Sequence, residues 1–521
     1  MKLAGVTLKF KNKILFLLII FTIINFNFYC VAATSNNDES NWPMFRHDKY
    51  HTGYQSNMGS GNISNYGILW CKRLNRSLIN GEPAVANLDL IGNKEIIIGN
   101  SNGELYCFDP YGNVIWKYFC EKGTYPLLGN EIDTTVALVN VTGNETLEII
   151  FGCSNGKIYC LSAWGDLIWD YQTDDWELSS PAIGDITGDG ELDVAINGVK
   201  SIYAITNEGK LIWNYEIEEG WGTSPVIVDI NNDSMNDLVF SGGFGKIYAI
   251  TTQKIFDNNS KLLRYSPEVL WVYETQPVIN PGILGAPVVF DVNKDTSFEI
   301  LIGHRDGYLL CLDSEGKKLW KLIVDGPICV SPVVADIDTD GDFEIIIGTS
   351  GKQLLALDSN GNFIWKKEHQ RGIWPNPVIF DVDGDGFFEI TSIDESLQPP
   401  GPEYEFESTI YSINIINYTG KVVHKLEYIC KCYDNFYGVS VVDLDSDGKL
   451  EILMGTYEGY FYCYGELENQ ENRNDLIDDD KNKSSNNLEN LVCSSRLLGT
   501  LIIILILIII LIKFKKKRKS K

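Results

Sequence analysis

The chain has 521 residues, of which 44% are hydrophobic and 22% charged, so it is long enough to bury a large core. Acidic residues outnumber basic residues by 70 to 43, which gives a net charge of −27. A surface this acidic repels a phosphate backbone, so nucleic acid is excluded as an expected partner.

The first 33 residues have the pattern of a secretory signal. Lys9, Lys11 and Lys13 precede an apolar run over residues 14–24, and a small-residue cleavage site ends at Ala33. We therefore expect residues 1–33 to be removed and the rest of the chain to be exported.

A nine-residue acidic frame recurs along the exported region. Its clearest copy, DVDGDGFFE from Asp381, has carboxylates at the first, third, fifth and ninth positions and a glycine at the sixth. Five further full copies begin at Asp185, Asp229, Asp291, Asp336 and Asp443, and two copies with fewer oxygen ligands begin at Asn87 and Asn140. The starting points are 44 to 62 residues apart, which indicates a repeating unit of about 45 residues with three insertions.

Oxygen ligands at alternate positions around a glycine suit Ca²⁺. Carboxylates this close repel one another unless a cation neutralises them, and Ca²⁺ prefers hard oxygen ligands. An ordinary acidic turn is the alternative, but the recurrence of the frame favours calcium. We predict about six sites, with the ligands Asp185, Thr187, Asp189 and Asp193; Asp229, Asn231, Asp233 and Asp237; Asp291, Asn293, Asp295 and Glu299; Asp336, Asp338, Asp340 and Glu344; Asp381, Asp383, Asp385 and Glu389; and Asp443, Asp445, Asp447 and Glu451.

Each unit also contains four short strands. The fullest unit, residues 331–368, has an apolar strand at 332–335, the acidic loop, a β-branched strand at 344–348 and two more strands, the last of which ends in Ile-Trp. Short strands separated by turn signals at this spacing predict the four-stranded blades of a β-propeller. They also exclude an EF-hand, because that motif needs helices on both sides of its loop.

The fourth strands give the number of blades. They are marked by Trp70, Trp116, Trp169, Trp213, Trp271, Trp320, Trp365 and, in the last one, His424. The first fourth strand precedes the first acidic loop, and the last third strand, at about residue 460, has no following partner. We therefore predict an all-β, eight-bladed propeller over residues 42–467, in which the N-terminal strand completes the last blade and leaves no unpaired edge.

The C-terminal region predicts a membrane anchor. Residues 468–495 are polar and are predicted to form a disordered stalk. Residues 497–512 are uniformly apolar and are predicted to form a transmembrane helix, followed by a basic cytoplasmic tail at 513–521. The two end segments, residues 1–33 and 496–521, hold 12 of the 43 basic residues and no acidic ones, so the remaining part of the chain has a net charge of −39. We expect a single-pass cell-membrane protein with an extracellular propeller, and the sequons at Asn62, Asn75, Asn258 and Asn417 are compatible with a glycoprotein.

The cysteines allow two interpretations. Cys71 lies on the closing strand and Cys463 on its predicted neighbour, so a disulfide between them is one expectation if the strand register brings their Cβ atoms together. Cys107, Cys160, Cys311 and Cys463 also occupy a third-strand position where other units have alanine, which favours a small buried residue instead.

Two resemblances follow from these motifs. The segment GKQLLALDSNGNFIW resembles the repeat of quinoprotein-like (PQQ-like) propellers, and WPMFRHDKYHTGYQ, from Trp42, looks like the opening of prokaryotic, especially archaeal, surface members of that group. The segments APVVFDVNKD and SPVVADIDTDGD resemble the FG-GAP/VCBS repeats of integrin-type propellers, which implies acidic loops that hold Ca²⁺. The alcohol dehydrogenases of the PQQ superfamily use a vicinal disulfide, and this chain has no adjacent cysteines, so PQQ is not expected.

The face opposite the acidic loops is the predicted ligand face. It carries the long connections 121–134 and 394–407 and a group of aromatic residues, Tyr125, Trp176, Trp221, Trp374, Phe436 and Tyr437. These side chains could stack on sugars or hold a peptide, or they could fill the central channel as core. His47 and His51, in the entry segment, are predicted to cap the ring closure.

Three functions remain open. The first is a non-catalytic, calcium-stabilised surface module that binds a glycan or a protein. The second is a lyase that acts on acidic polysaccharide, for which His304 and Arg305 are the candidate bases. The third, and the least favoured, is a PQQ-dependent dehydrogenase.

Overall fold

The computed structural model describes most of the predicted propeller region. The described residues are 41–75, 78–123, 129–218, 220, 222–242, 245–257, 260–275, 282–283, 285–370, 372–373, 375–398, 408–430 and 438–467, with the backbone alone at 395–398, 408–411 and 427–430. The predicted signal, stalk, transmembrane helix and tail lie outside these residues. Within them no helix is long and apolar enough to cross a membrane, and the one helix is a 3-10 turn at Ile63–Asn65.

The described strands form eight sheets, so the predicted eight-bladed propeller is confirmed. The strands of blades 1 to 4 are β3 (Ala84–Ala86), β4 (Glu95–Gly99), β5 (Glu104–Phe108) and β6 (Val114–Phe119); β7 (Ala137–Val139), β8 (Glu148–Gly152), β9 (Lys157–Leu161) and β10 (Leu167–Gln172); β11 (Ala182–Gly184), β12 (Asp193–Asn197), β13 (Ser201–Ile205) and β14 (Leu211–Glu216); and β15 (Val226–Val228), β16 (Asp237–Gly242), β17 (Lys246–Phe256) and β18 (Leu262–Glu274).

The remaining blades follow the same order from the inner to the outer strand. The strands of blades 5 to 8 are β19 (Val288–Phe290), β20 (Glu299–His304), β21 (Tyr308–Leu312) and β22 (Lys318–Ile323); β23 (Val333–Ala335), β24 (Glu344–Thr349), β25 (Gln353–Leu357) and β26 (Phe363–Glu368); β27 (Ile379–Asp381), β28 (Glu389–Gln398), β29 (Ser408–Asn417) and β30 (Val422–Cys430); and β31 (Val439–Val442), β32 (Glu451–Gly455), β33 (Tyr460–Glu466) and β2 (Tyr66–Arg73). One more strand, β1 (Tyr54–Met58), pairs in parallel with β27.

Burial follows the position of a strand in its blade. The middle strands β5, β8, β12, β13, β21 and β25 are buried at every residue, because neighbouring blades cover both faces of each sheet. The outer strands β6, β10, β22 and β26 alternate between exposed and half-buried residues. The core is therefore a ring of contacts between blades, and each blade depends on its two neighbours.

The predicted closure of the ring is also confirmed. Strand β2 pairs antiparallel with β33, so the N-terminal strand becomes the outer strand of blade 8. The same register corrects the predicted disulfide. Trp70 lies opposite Cys463, and Cys71 lies opposite Tyr462. Because successive side chains in a strand point to opposite faces, this register does not bring Cys71 and Cys463 together.

The entry segment, residues 42–58, runs along the inner edges of the blades. The first strand of each blade pairs on one side with the second strand, and its other edge faces the central channel. Backbone hydrogen bonds join the entry segment to these free edges in blades 1, 2, 5, 6 and 7. The bonded pairs are Trp42 with Val85, Pro43 with Leu138, Tyr50 with Val289, Thr52 with Val334, and Gly53 with Ile379. The side-chain amide of Gln55 donates to Val441 O in blade 8, at 3.1 Å. The segment therefore lies in the channel.

The channel contains a buried charge pair. Arg46 is fully buried, its Nη1 lies 4.0 Å from Glu82 Oε1, and it donates to the carbonyls of Pro377 (2.9 Å) and Pro332 (3.4 Å). Gly53 has a φ of +66°, and a Cβ there would lie 2.1 Å from Arg46 Nη2. Glycine is thus required where the chain passes the guanidinium.

The two histidines of the entry segment do not cap the ring closure as predicted. His51 is buried in the channel with Nδ1 3.2 Å from Pro287 O, and burial lowers its pKa to about 4. The ring of His47 packs edge-on against Trp42, with the ring centroids 5.1 Å apart. Both residues belong to the packing of the channel.

Tryptophans on the outer strands fasten each blade to the next. In six blades the indole N–H donates to an acceptor at or near the following blade's third-to-fourth turn, at distances from 2.6 to 3.0 Å; the donors are Trp70, Trp116, Trp169, Trp213, Trp271 and Trp365. His424 takes this place in blade 7, where Nε2 lies 3.4 Å from Tyr66 O at the ring join. The repeated aromatic residue is therefore an inter-blade contact.

One of the three insertions in the repeat lies in blade 4, where it forms a long hairpin. Strands β17 and β18 of blade 4 have 11 and 13 residues, and they extend beyond the neighbouring blades on the side of the acidic loops. Phe256 and Leu263 near its tip are 53% and 62% exposed.

Replacing Arg46 with alanine tests the importance of the filled channel. The change leaves the Glu82 carboxylate buried without its cation, so we expect a loss of about 3–5 kcal/mol in the free energy of unfolding. Lys366→Ala is the control, because the Lys366–Glu368 ion pair is largely exposed and its loss should change the stability by under about 1 kcal/mol. Urea unfolding of both variants gives the comparison, and equal effects would contradict a stabilising role for the buried pair.

Candidate metal centres

The ninth residue of every frame fastens the acidic loop to its blade. In all eight frames its carboxylate accepts a hydrogen bond of 2.8 to 3.1 Å from the backbone N–H of the second residue; the acceptors are Glu95, Glu148, Asp193, Asp237, Glu299, Glu344, Glu389 and Glu451. This bond forms in the two weaker frames as well. The ninth carboxylate thus shapes the loop whether or not the other oxygen ligands are present.

The first residue folds the loop back on itself. In the six full frames the first Asp accepts a bond of 2.8 to 3.0 Å from the N–H of the sixth residue. The sixth residue has a positive φ in each of these loops, as expected for glycine. Ser234 and Thr296 adopt the same conformation, with φ of 70° and 74°, although a non-glycine residue there costs roughly 1–2 kcal/mol. The loop geometry is therefore maintained even without glycine.

Three of the six predicted loops bring three carboxylate groups together. In each group the oxygen atoms lie within 4.8 Å of one another; the groups are Asp336, Asp338 and Glu344; Asp381, Asp383 and Asp385; and Asp443, Asp445 and Glu451. Hard oxygen ligands at this spacing fit Ca²⁺. We refer to these loops as the triple-carboxylate loops of blades 6, 7 and 8.

The other three predicted loops have a neutral third residue. Thr187, Asn231 and Asn293 replace the third carboxylate. In two of them the amide also relieves repulsion directly, because Asn231 Nδ2 donates to Asp233 (3.1 Å) and Asn293 Nδ2 donates to Glu299 (2.9 Å). These loops thus gain less from a cation than the triple-carboxylate loops.

The electrostatics of the triple-carboxylate loops favour a bound cation. Burial raises the pKa of Glu344 to about 7 and those of Glu389 and Glu451 to about 8, and the neighbouring aspartates raise them further. In addition, Asp336 Oδ1 is buried and has no hydrogen-bond partner among the described residues. A divalent cation would stabilise these carboxylates in their ionised form.

The loops of blades 7 and 8 are joined by the chain that leaves the channel. Gly59 N donates to Asp381 O (2.7 Å) and Ser60 N donates to Gly448 O (2.9 Å). On the other side of blade 8, Lys94 Nζ donates to Asp443 O (2.7 Å) from the weaker frame of blade 1. The acidic loops around the ring join are therefore linked by hydrogen bonds, through residues 59–60 between blades 7 and 8 and directly between blades 8 and 1, which the sequence alone did not indicate.

Most of the predicted ligand face lies outside the described residues. Tyr125, Trp221, Trp374, Phe436 and Tyr437 fall there. Trp176 is described: it is half-buried in the connection between β10 and β11, and Lys200 Nζ lies 4.7 Å from the centre of its ring. The alternative prediction is that these aromatic residues fill the central channel. Residues 42–58 already occupy part of the channel, so no aromatic side chain of this group is needed to fill that part.

Of the two candidate lyase bases, Arg305 is half-buried and His304 is enclosed. His304 is fully buried and stacks on Tyr308 with the ring centroids 4.2 Å apart, and its Nε2 lies 3.2 Å from Thr275 Oγ1. Burial lowers its pKa to about 4. A side chain enclosed in this way cannot reach a polymeric substrate.

A Ser-His-Asp group occurs between blades 6 and 7, and no sequence motif indicates it. Ser392 Oγ lies 3.4 Å from His369 Nε2, and His369 Nδ1 lies 3.7 Å from Asp394. Ser392 is only 3% exposed. Since Thr275 and His304 make a similar buried contact between blades 4 and 5, we assign the group to packing between blades and not to catalysis.

Comparisons with known proteins support the fold alone. No protein-family model matches the sequence, and no curated protein matches it. Solved structures with the same fold include BamB from Moraxella catarrhalis (TM-score 0.51, 15% identity, covering 77% of this chain and 99% of that one). They also include a europium-containing methanol dehydrogenase (TM-score 0.54, 12% identity, covering 82% of this chain and 98% of that one). A third is the V. cholerae biofilm matrix protein Bap1 (TM-score 0.53, 12% identity, covering 77% of this chain and 91% of that one). The chain is an eight-bladed β-propeller, a class that here includes an enzyme and a matrix protein.

Calcium titration tests the metal centres. For a site with a dissociation constant of about 10⁻⁴ M, about 1 mM Ca²⁺ should stabilise each loop by roughly 1.4 kcal/mol. We expect Asp338→Asn to remove one site, as measured by calorimetric titration of the full chain, because it deletes one carboxylate from the blade 6 cluster. Asp342→Asn is the matched control in the same loop, since the Asp342 side chain is 87% exposed. A thermal midpoint that does not respond to chelator in the parent protein would refute the sites.

Proposed function

We propose that this protein is a non-catalytic, calcium-stabilised binding scaffold of the cell surface, which holds a glycan or protein ligand. The observation that carries the proposal is the occupation of the central channel by residues 42–58. With its axis filled by its own chain, the propeller offers its two faces and its rim for binding. The same observation argues against a cofactor enzyme that uses the channel as its active site.

Calcium is assigned a structural role in this proposal. The residues that would hold it are the ligands of the triple-carboxylate loops, with weaker sites in blades 3, 4 and 5. The resemblance of these segments to FG-GAP/VCBS repeats supports the assignment. All these loops lie on one face, because each joins the first and second strands of its blade. Bound Ca²⁺ would stiffen that face and leave the opposite one for the ligand.

The ligand face is characterised best at Trp176. Its half-buried ring, with the Lys200 ammonium above it, presents an aromatic surface and a cation side by side. Aromatic rings of this kind stack on sugars and pack against extended peptides. The charge of −39 on the chain between the two end segments opposes acidic polysaccharides, so a neutral glycan or a basic protein segment fits better than the substrate of the alternative lyase.

The proposed location rests on the two ends of the sequence. A cleaved signal at residues 1–33 would export the chain, and an apolar segment at 497–512 with a basic tail would hold it in the cell membrane. The surface resemblance of the entry segment agrees with this location.

A glycan array probed with the purified full chain, with and without chelator, tests the proposal. We expect binding to neutral glycans, reduced about fivefold in Trp176→Ala, because stacking on an aromatic ring contributes on the order of 1 kcal/mol. Trp164→Ala is the matched control, since Trp164 is 60% exposed in the β9–β10 turn on the opposite face. Cleavage of an acidic polysaccharide, seen as unsaturated products, would overturn the non-catalytic assignment, and loss of binding in Trp164→Ala alone would place the ligand on the other face.

A further inference from the structure

Two buried cysteines meet between blades 1 and 2. Cys120 follows the outer strand β6 and Cys153 follows β8. They are 6% and 1% exposed and belong to the same apolar cluster. Their thiols share a hydrogen bond, which together with burial raises the pKa of Cys120 well above its usual value.

Hydrogen bonds on both sides hold the two backbone segments together. Asn130 Nδ2 donates to Cys120 O (3.2 Å), and Cys153 Sγ donates to Asn130 O (3.4 Å). One residue further on, Glu121 O accepts from Asn155 Nδ2 (2.8 Å). The contact between the cysteines is thus fixed by three neighbouring bonds.

The repeat provides independent evidence for this contact. At four of the seams between blades, the residue four positions after the outer-strand aromatic faces the residue thirteen positions after the frame start of the next blade; we name this the seam contact. Cys120 and Cys153 occupy these two positions. The equivalent pairs also meet: Thr275 and His304 at 3.2 Å, His369 and Asp394 at 3.7 Å, and Ile217 and Gly242, where an added Cβ would lie 3.4 Å from the isoleucine. The fold therefore brings the side chains of these positions together repeatedly, and only this described seam places a cysteine at both.

We propose that Cys120 and Cys153 form a disulfide bond that joins blade 1 to blade 2 in the exported protein. One S–S bond forms and two S–H bonds break. The two protons and two electrons pass to a disulfide oxidant, such as oxidised glutathione or a dithiol–disulfide oxidoreductase, which is reduced to two thiols. The proposal rests on the seam contact and on the export that we propose above, and not on the ligand or the calcium sites.

The bond has a definite place in the architecture. It closes a loop of 33 residues that contains the long connection 121–134 on the predicted ligand face. Because both thiols are buried in the folded ring, an oxidant cannot approach them easily once the seam has closed. We therefore expect the bond to form while blades 1 and 2 are still docking.

Peptide mapping tests the bond directly. Trypsin cleaves after Lys117, Lys122 and Lys157 and at no site between the last two, so Cys120 and Cys153 lie in separate peptides, 118–122 and 123–157. The full chain, refolded in a glutathione redox buffer and alkylated in denaturant, should yield these peptides as one linked species that separates on reduction. Recovery of both cysteines as alkylated free thiols, or of either one linked elsewhere, would overturn the proposal.

Thermal unfolding provides a second test. We expect reductant to lower the midpoint of the parent protein by roughly 5 °C, and Cys120→Ser and Cys153→Ser to lower it by a similar amount and to respond no further to reductant. Cys311→Ala is the control, because alanine takes the equivalent third-strand position at Ala204, Ala249 and Ala356, and it should keep the full response to reductant. A parent midpoint that is the same with and without reductant would contradict the bond even if the variants fold poorly.

Discussion

The free inner edges of the eight sheets are the constraint on which this structure depends. A strand with one unpaired edge exposes backbone donors and acceptors, and a ring of such strands around a channel exposes many at once. Here residues 42–58 form hydrogen bonds to the inner strands of six of the eight blades. The bonds are made by the backbone in blades 1, 2, 5, 6 and 7 and by a side chain in blade 8. Arg46 extends the arrangement to the chain segments that enter the inner strands, where it bonds to Pro332 O and Pro377 O.

The acidic loops combine two roles that the sequence presents as one. The ninth carboxylate bonds to the backbone in every frame, including those that begin at Asn87 and Asn140, so it is part of the blade itself. The first, third and fifth positions vary from blade to blade, and only three loops concentrate three carboxylates. The loop is therefore a general structural element, and the calcium binding that we propose would be an additional property of particular copies.

The number of blades and the closure of the ring could be predicted because the sequence repeats. The spacing of the acidic frames and the position of the outer-strand aromatics determine the number of blades, because each feature reports a contact that recurs in every unit. The closure by β2 follows from counting strands. The role of Arg46 could not be predicted in the same way, since its bond to Pro377 joins residues 331 positions apart and occurs once. The register of β2 on β33 was equally inaccessible, because a shift of one residue reverses the faces of Cys71 and Cys463. The meeting of Cys120 and Cys153 appears only when the blades are aligned in three dimensions.

The closure of blade 8 also has a consequence for synthesis. Strand β2 is made among the first residues of the propeller, but its partner β33 ends at Glu466, so the pair cannot form until nearly the whole ring has been synthesised. Until then the early blades have an open terminal edge and incompletely covered apolar faces, which are the features that promote aggregation of growing chains. Folding dominated by such distant contacts is slow. A nascent chain of this protein would therefore need protection by chaperones for longer than a chain of similar size built from local contacts.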